Sequence, residues 1–165
     1  MTEQVATNSR AWLLDFGRGL QAAVGLHEMW QVLISPTLFD VPCTPIYCSE
    51  VLIYQDKLIL PVLDMPSLLE GQKIIHAHND VIGIAVYQED LNHPLHYVGL
   101  HLATTPLGIH VSDDQACELP SHQHYWEPLA VSCFSRNGIA IPILDLAYLF
   151  SEDFNSIIDT KINSS

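Results

Sequence analysis

The sequence predicts a mainly β chain folded as a pair of related small barrels, with short helices and a C-terminal helix. Three observations predict it. A phrase recurs: residues 57–69 read KLILPVLDMPSLL and residues 138–150 read GIAIPILDLAYLF. Pro61, Leu63, Asp64 and Leu68 return as Pro142, Leu144, Asp145 and Leu149 at a constant offset. Two copies are too few for a solenoid and suggest two lobes packed together. Second, about ten short apolar runs are separated by turn signals, the mark of an all-β pair of barrels. Third, 165 residues, 48% of them hydrophobic, make one domain. Lobes of roughly 70 residues are each marginal alone and must share a core.

The elements follow in order. Residues 1–10 are polar and expected to be loose. Trp12–Phe16 is a first strand, Gly17 and Gly19 make a turn, and Gln21–Leu26 is its hairpin partner. His27–Ile34 is expected to be a short helix, with Met29, Val32 and Leu33 on one face. Pro36, Pro42 and Pro45 punctuate an irregular connection. Glu50–Tyr54 and Leu58–Leu63 are strands around the turn Gln55-Asp56-Lys57. A run of consecutive apolar residues suits a strand buried on both faces, and a proline within it belongs at an edge or bulge. Asp64 then caps one helical turn, with Pro66 in its first turn and Gly71 at its end. Residues 71–80 link the lobes, which run over residues 12–70 and 80–150.

In the second lobe Val81–Tyr87, Tyr97–Leu102 and Leu107–Val111 are strands, separated by Gln88–Pro94 and by Thr104-Thr105-Pro106. Residues 113–128 are polar and proline-bounded. Leu129–Phe134 and Ile139–Leu144 flank Arg136-Asn137-Gly138, a tight-turn sequence. The tail, residues 151–165, opens with Ser151, Glu152 and Asp153, which favour a helix N-terminus. Phe154, Ile157, Ile158 and Ile162 fall on one face of that amphipathic helix.

Composition narrows the function. The net charge is −13 with only six Lys plus Arg, so no basic stripe exists for nucleic acid or anionic lipid. A basic partner surface is the better match. No signal-peptide pattern and no run long enough to span a membrane is present, which places the protein in the cytoplasm without membrane insertion. Cys43, Cys48, Cys117 and Cys133 lack CxxC spacing and read as buried free thiols.

The strand WLLDF, the glycine turn, HEMWQVL, VPCTPIY, EVLIYQDKLILPVLDM, VGL and NGIAIPILDLAYLF together resemble the CheW-like family of chemotaxis coupling proteins over residues 12–150. The resemblance implies two five-stranded SH3-like barrels sharing a hydrophobic core. It implies a non-enzymatic adaptor without cofactors. Such proteins bridge the cytoplasmic tip of a methyl-accepting chemoreceptor to the regulatory domain of a CheA-like histidine kinase. A related, PilI-like version serves type IV pilus twitching motility. Two features depart from the family pattern. Its Leu-Arg-Gly turn is here Gln55-Asp56-Lys57, and its Val-Asp after Gly-Leu is replaced by His101-Leu102. Both departures suit a divergent, pilus-type paralogue.

Candidate sites follow from the residues. Small barrels offer turns and strand edges as recognition surfaces. The candidate partner-binding residues are Ile53, Tyr54, Gln55, Asp56 and Lys57 at one hairpin and Phe134, Arg136 and Asn137 at its counterpart. The groove where the lobes meet is a third candidate. An alternative of another class is a small metal-dependent hydrolase using His76, His78 and Asp80, since alternating residues can converge on one ion. Solvated loop histidines are the plainer reading, so no metal site is assigned. No GxSxG, GxxxxGK[ST] or GxGxxG occurs. Asp64 and Asp145, in identical contexts, read as caps rather than a catalytic pair.

Overall fold

The computed structural model describes residues 8–76 and 80–151. The strands are β1 (Asn8–Gly17), β2 (Leu20–Gly25), β3 (Met29–Ile34), β4 (Phe39–Asp40), β5 (Glu50–Tyr54) and β6 (Leu58–Leu63), followed by helix α1 (Met65–Glu70). Then come β7 (Val81–Tyr87), β8 (His96–Leu102), β9 (Leu107–Ser112), β10 (Ala130–Arg136), β11 (Ile139–Leu144) and helix α2 (Leu146–Leu149). They form two sheets, ordered β10-β11-β2-β1-β9 and β3-β7-β8-β6-β5-β4. These are the two SH3-like β subdomains that the resemblance implies, the second widened by the two-residue strand β4.

The duplication is real in the topology, but the lobes do not follow the chain. In chain order β1, β2, β3, β5, β6 and α1 correspond to β7, β8, β9, β10, β11 and α2. Each sheet takes the first two strands of one half and the last three of the other. The expected division into residues 12–70 and 80–150 is therefore corrected: the halves exchange their opening hairpins. The exchange is sealed by two parallel contacts, Val62↔Gly99 with Leu63↔Leu100, and Ile143↔Ala23. Gly99 is small for a reason. A Cβ there would lie 3.1 Å from Ile82 Cγ2 and 3.2 Å from Val62 Cγ2.

The exchange builds the shared core. Successive strand residues point to opposite faces. On β2, Ala23 faces the first sheet's interior with Ile109, Phe134 and Ile141. Leu20, Ala22 and Val24 face the other way, into the cluster that also holds Val98, Leu100 and Leu102 of β8. The second sheet's interior holds Leu52, Tyr54, Leu60, Val62, Ile82 and Ile84. The central strands are thus buried on both faces, which is why their sequences are nearly continuous apolar runs.

Both helix caps form as expected. The Asp64 carboxylate accepts from the Ser67 N–H at 3.3 Å, and Gly71 ends α1 with φ 70°. The Asp145 carboxylate accepts from the Tyr148 N–H at 3.1 Å. The expected helix over His27–Ile34 is not there. Leu26–Glu28 is a 3-10 turn and Met29–Ile34 is a strand, antiparallel to β7. Trp30, Val32 and Ile34 are aromatic or β-branched and suit a strand. Gly83 on β7 leaves room for Met29, whose Sδ and Cε would lie 3.0 Å from a Cβ at residue 83. β1 also begins earlier than expected, at Asn8. The 113–128 stretch contains 3-10 turns, and Trp126 within it is fully buried in the shared core. The expected C-terminal helix lies outside the described residues. Among the described residues no helix is long and apolar enough to cross a membrane.

Candidate docking surfaces

The two hairpin tips are exposed and alike. Tyr54 pairs with Leu58, leaving Gln55, Asp56 and Lys57 as the loop of the β5–β6 hairpin. Gln55 and Asp56 both have positive φ, 52° and 56°, and the Lys57 N–H donates to the Tyr54 carbonyl at 3.1 Å. At the β10–β11 tip Asn137 and Gly138 take the same left-handed conformation, φ 51° and 76°. Positive φ at two successive residues gives a turn whose twist matches the flanking strands. The tips lie on different sheets.

The eight candidate residues separate by burial. Ile53 is half-exposed and sits opposite Ile59, itself 71% exposed. Gln55, Asp56, Lys57 and Asn137 are exposed, and Arg136 is half-buried. Tyr54 and Phe134 are core residues, 4% and 2% exposed, and are withdrawn as contact residues. Tyr54 packs inside the second sheet and donates its hydroxyl to Gln31 Oε1 at 2.7 Å. Phe134 packs on Ile141 inside the first sheet. The period-2 alternation decides this: Ile53 and Tyr54 are neighbours and must face opposite sides.

A cleft of about 240 Å³ opens where the two sheets meet. Trp12 on β1 forms one wall, Met29, Trp30, Gln31 and Val32 on β3 the other, and Thr105 and Pro106 close it. The Trp12 indole is fixed by donating to the Leu26 carbonyl at 3.2 Å. Trp30 is 58% exposed. A groove between the lobes was expected, but Trp12 and Trp30 were not singled out. Reading His27–Ile34 as a helix hides the register shift between Met29 and Gln31, which leaves Trp30 unpaired in the β3–β7 ladder and exposed on an edge strand.

The histidine phrase forms a different constellation from the one expected. His76 Nε2 lies 2.6 Å from Asp64 Oδ2, and His101 Nε2 lies 2.8 Å from Asp80 Oδ1. The two imidazoles stack at 3.9 Å between centroids. His76 and Asp80 are therefore held by separate partners, and His78 lies outside the described residues. Among the described residues no group of three or more His, Cys, Asp or Glu is arranged to hold a metal ion. Nearby, burial, then Asp40 and Asp80, holds the Glu50 carboxyl above its usual range. The cysteines also depart from expectation, since Cys43 is exposed and only Cys133 is buried.

No known protein family and no curated protein matches the chain by sequence. Among solved structures it is similar to the scaffolding protein TtCheW from Thermoanaerobacter tengcongensis, with a TM-score of 0.69 and 15% identity. The match covers 92% of this chain and 93% of that one. The chain has a CheW-type fold. At this identity the likeness speaks for the architecture, including both subdomains.

Proposed function

We propose that this chain is a non-enzymatic adaptor that holds a chemoreceptor's cytoplasmic tip and a CheA-like histidine kinase's regulatory domain at fixed geometry. The observation that carries this reading is the apolar cleft at the sheet junction, walled by Trp12, Met29 and Trp30, in a fold shared with a scaffolding protein. A cleft of this kind takes the apolar face of a helix. Aromatic residues at the centre of a contact supply most of its binding energy. The β5–β6 hairpin, with Ile53, Ile59 and the Gln55–Lys57 tip, offers a second surface on the same sheet for the kinase domain. The charge of −13 favours basic partner surfaces and speeds their encounter. The protein works in the cytoplasm, and its altered tip suits the type IV pilus version of the system. The test is a pull-down of each partner by the full chain, repeated with Trp30→Asp. Retention of the receptor fragment by the wild type and its loss from the variant supports the reading. Failure of the wild type to retain either partner contradicts it.

A further inference from the structure

Cys117 and Cys133 meet across a short strand pairing at the edge of the first sheet. Ala116 and Phe134 form an isolated antiparallel bridge beside β10. The next opposed pair is Cys117 and Cys133, and the Cys117 N–H donates to the Cys133 carbonyl at 3.0 Å. On the other side of the bridge the Gln115 side-chain amide donates to the Ser135 carbonyl at 3.2 Å. Residues 115–117 are thus laid against β10 by contacts that involve no sulfur. Within that frame the two Sγ atoms are 3.2 Å apart. Opposed residues of an antiparallel pair hold their Cβ atoms about 4.5–5.5 Å apart. A disulfide spans about 3.5–4.5 Å. The bond needs a small closing of the pair and no refolding of the connection.

We propose that Cys117 and Cys133 are a reversible dithiol–disulfide pair, a modification site that latches the 113–129 connection onto β10. The oxidant is a low-molecular-weight disulfide. Cys117 is the half-buried member and reacts first. It gives up its proton, and its thiolate attacks one sulfur of the reagent. A mixed disulfide forms, and one small thiolate leaves and takes up a proton. Cys133 is 6% exposed, and burial, then the Cys117 side chain, pushes its thiol up to about 12. It stays protonated until an electrophilic sulfur stands beside it. As the Cys133 sulfur attacks Cys117 Sγ, its proton passes to the second departing small thiolate. The protein loses two electrons and two protons, and the reagent disulfide becomes two thiols. The consequence reaches the shared core, because the connection carries Trp126, whose ring packs against Phe16 at 6.1 Å.

The full chain is equilibrated with reduced and oxidised glutathione over a range of ratios. Remaining thiols are alkylated, and the protein is digested without reduction and mapped by mass spectrometry. The expected product is a peptide joining Cys117 to Cys133, lighter by two hydrogens than the reduced pair. The oxidised protein should also melt at a higher temperature than the reduced protein. Cys43→Ser with Cys48→Ser should keep both readouts, and Cys117→Ser should melt alike in both buffers. If Cys117→Ser fails to fold, the wild-type peptide map decides alone. The proposal is overturned if Cys117 stops at a glutathione adduct, if the joined peptide contains Cys43 or Cys48, or if both thiols remain alkylated at every ratio.

Discussion

Asp64 and Asp145 stand at the same point of two hairpin-to-helix units. Each carboxylate accepts from a backbone N–H three residues on, Ser67 at 3.3 Å and Tyr148 at 3.1 Å. Each backbone N–H donates at 2.8 Å to a carbonyl just upstream of its hairpin, Tyr47 for Asp64 and Leu129 for Asp145. Among the described residues, Asp64 alone of the two carries a second load, the His76 ring. Loss of an N-cap costs about 0.5–2 kcal/mol. Asp145→Ala should fall in that range by urea denaturation. Asp64→Ala should cost more, since it also releases His76 from its stack on His101. Equal costs would mean that the His76 pair contributes nothing to folding.

Leu60 and Ile141 sit in corresponding strands and in the interiors of different sheets, 5% and 2% exposed. Truncating either to Ala should cost about 2–5 kcal/mol. Because each sheet contains strands from both halves of the chain, both substitutions should lower one common unfolding transition. Two separate calorimetric transitions, each moved by one substitution, would count against the exchanged architecture.

Much of this fold was legible in the residues, and the failures have physical causes. The doubled phrase marked both hairpins and both caps because proline, aspartate and glycine act locally. His27–Ile34 reads as a helix because Met29, Val32 and Leu33 fit a helical spacing, and the strand character of Met29–Ile34 comes from a partner, β7, that lies far along the chain. The exchange of opening hairpins was invisible for the same reason, since no local signal says which of two equivalent edges β6 will join. At the candidate docking surface the Gln55–Lys57 tip was legible from turn chemistry. Tyr54 and Phe134 were not, since their facing depends on register.

Glu50 gives a pH test. Burial, then repulsion by Asp40 and Asp80, raises its folded value, while His101 and Lys73 pull the other way. A raised carboxyl binds its proton more tightly in the folded chain, so its contribution to stability is present below the unfolded value and lost as pH rises through the folded one. At neutral pH the charge therefore opposes folding. Glu50→Gln should unfold at higher denaturant than the wild type at pH 7, and the difference should shrink to nothing below about pH 4. A difference that grows on acidification would reverse the sign and contradict the assignment.

The β5–β6 tip should be dispensable for folding and needed for contact. Asp56→Arg with Lys57→Glu reverses the local charges on exposed residues and leaves the strands alone. Kinase-domain binding should weaken by roughly tenfold, about 1.4 kcal/mol, with the melting temperature nearly unchanged. Retained binding would move the contact elsewhere. A collapsed melt would make the tip structural.

The adaptor reading is tested most directly by a three-component assembly. The full chain is mixed with the regulatory domain of a histidine kinase and the cytoplasmic tip of a chemoreceptor from the same system, and run through size-exclusion chromatography with light scattering. One complex containing all three is expected, reduced to chain plus kinase domain by Trp30→Asp in the cleft. Mutually exclusive binding of the two partners, or binding of neither by a well-folded chain, would contradict it.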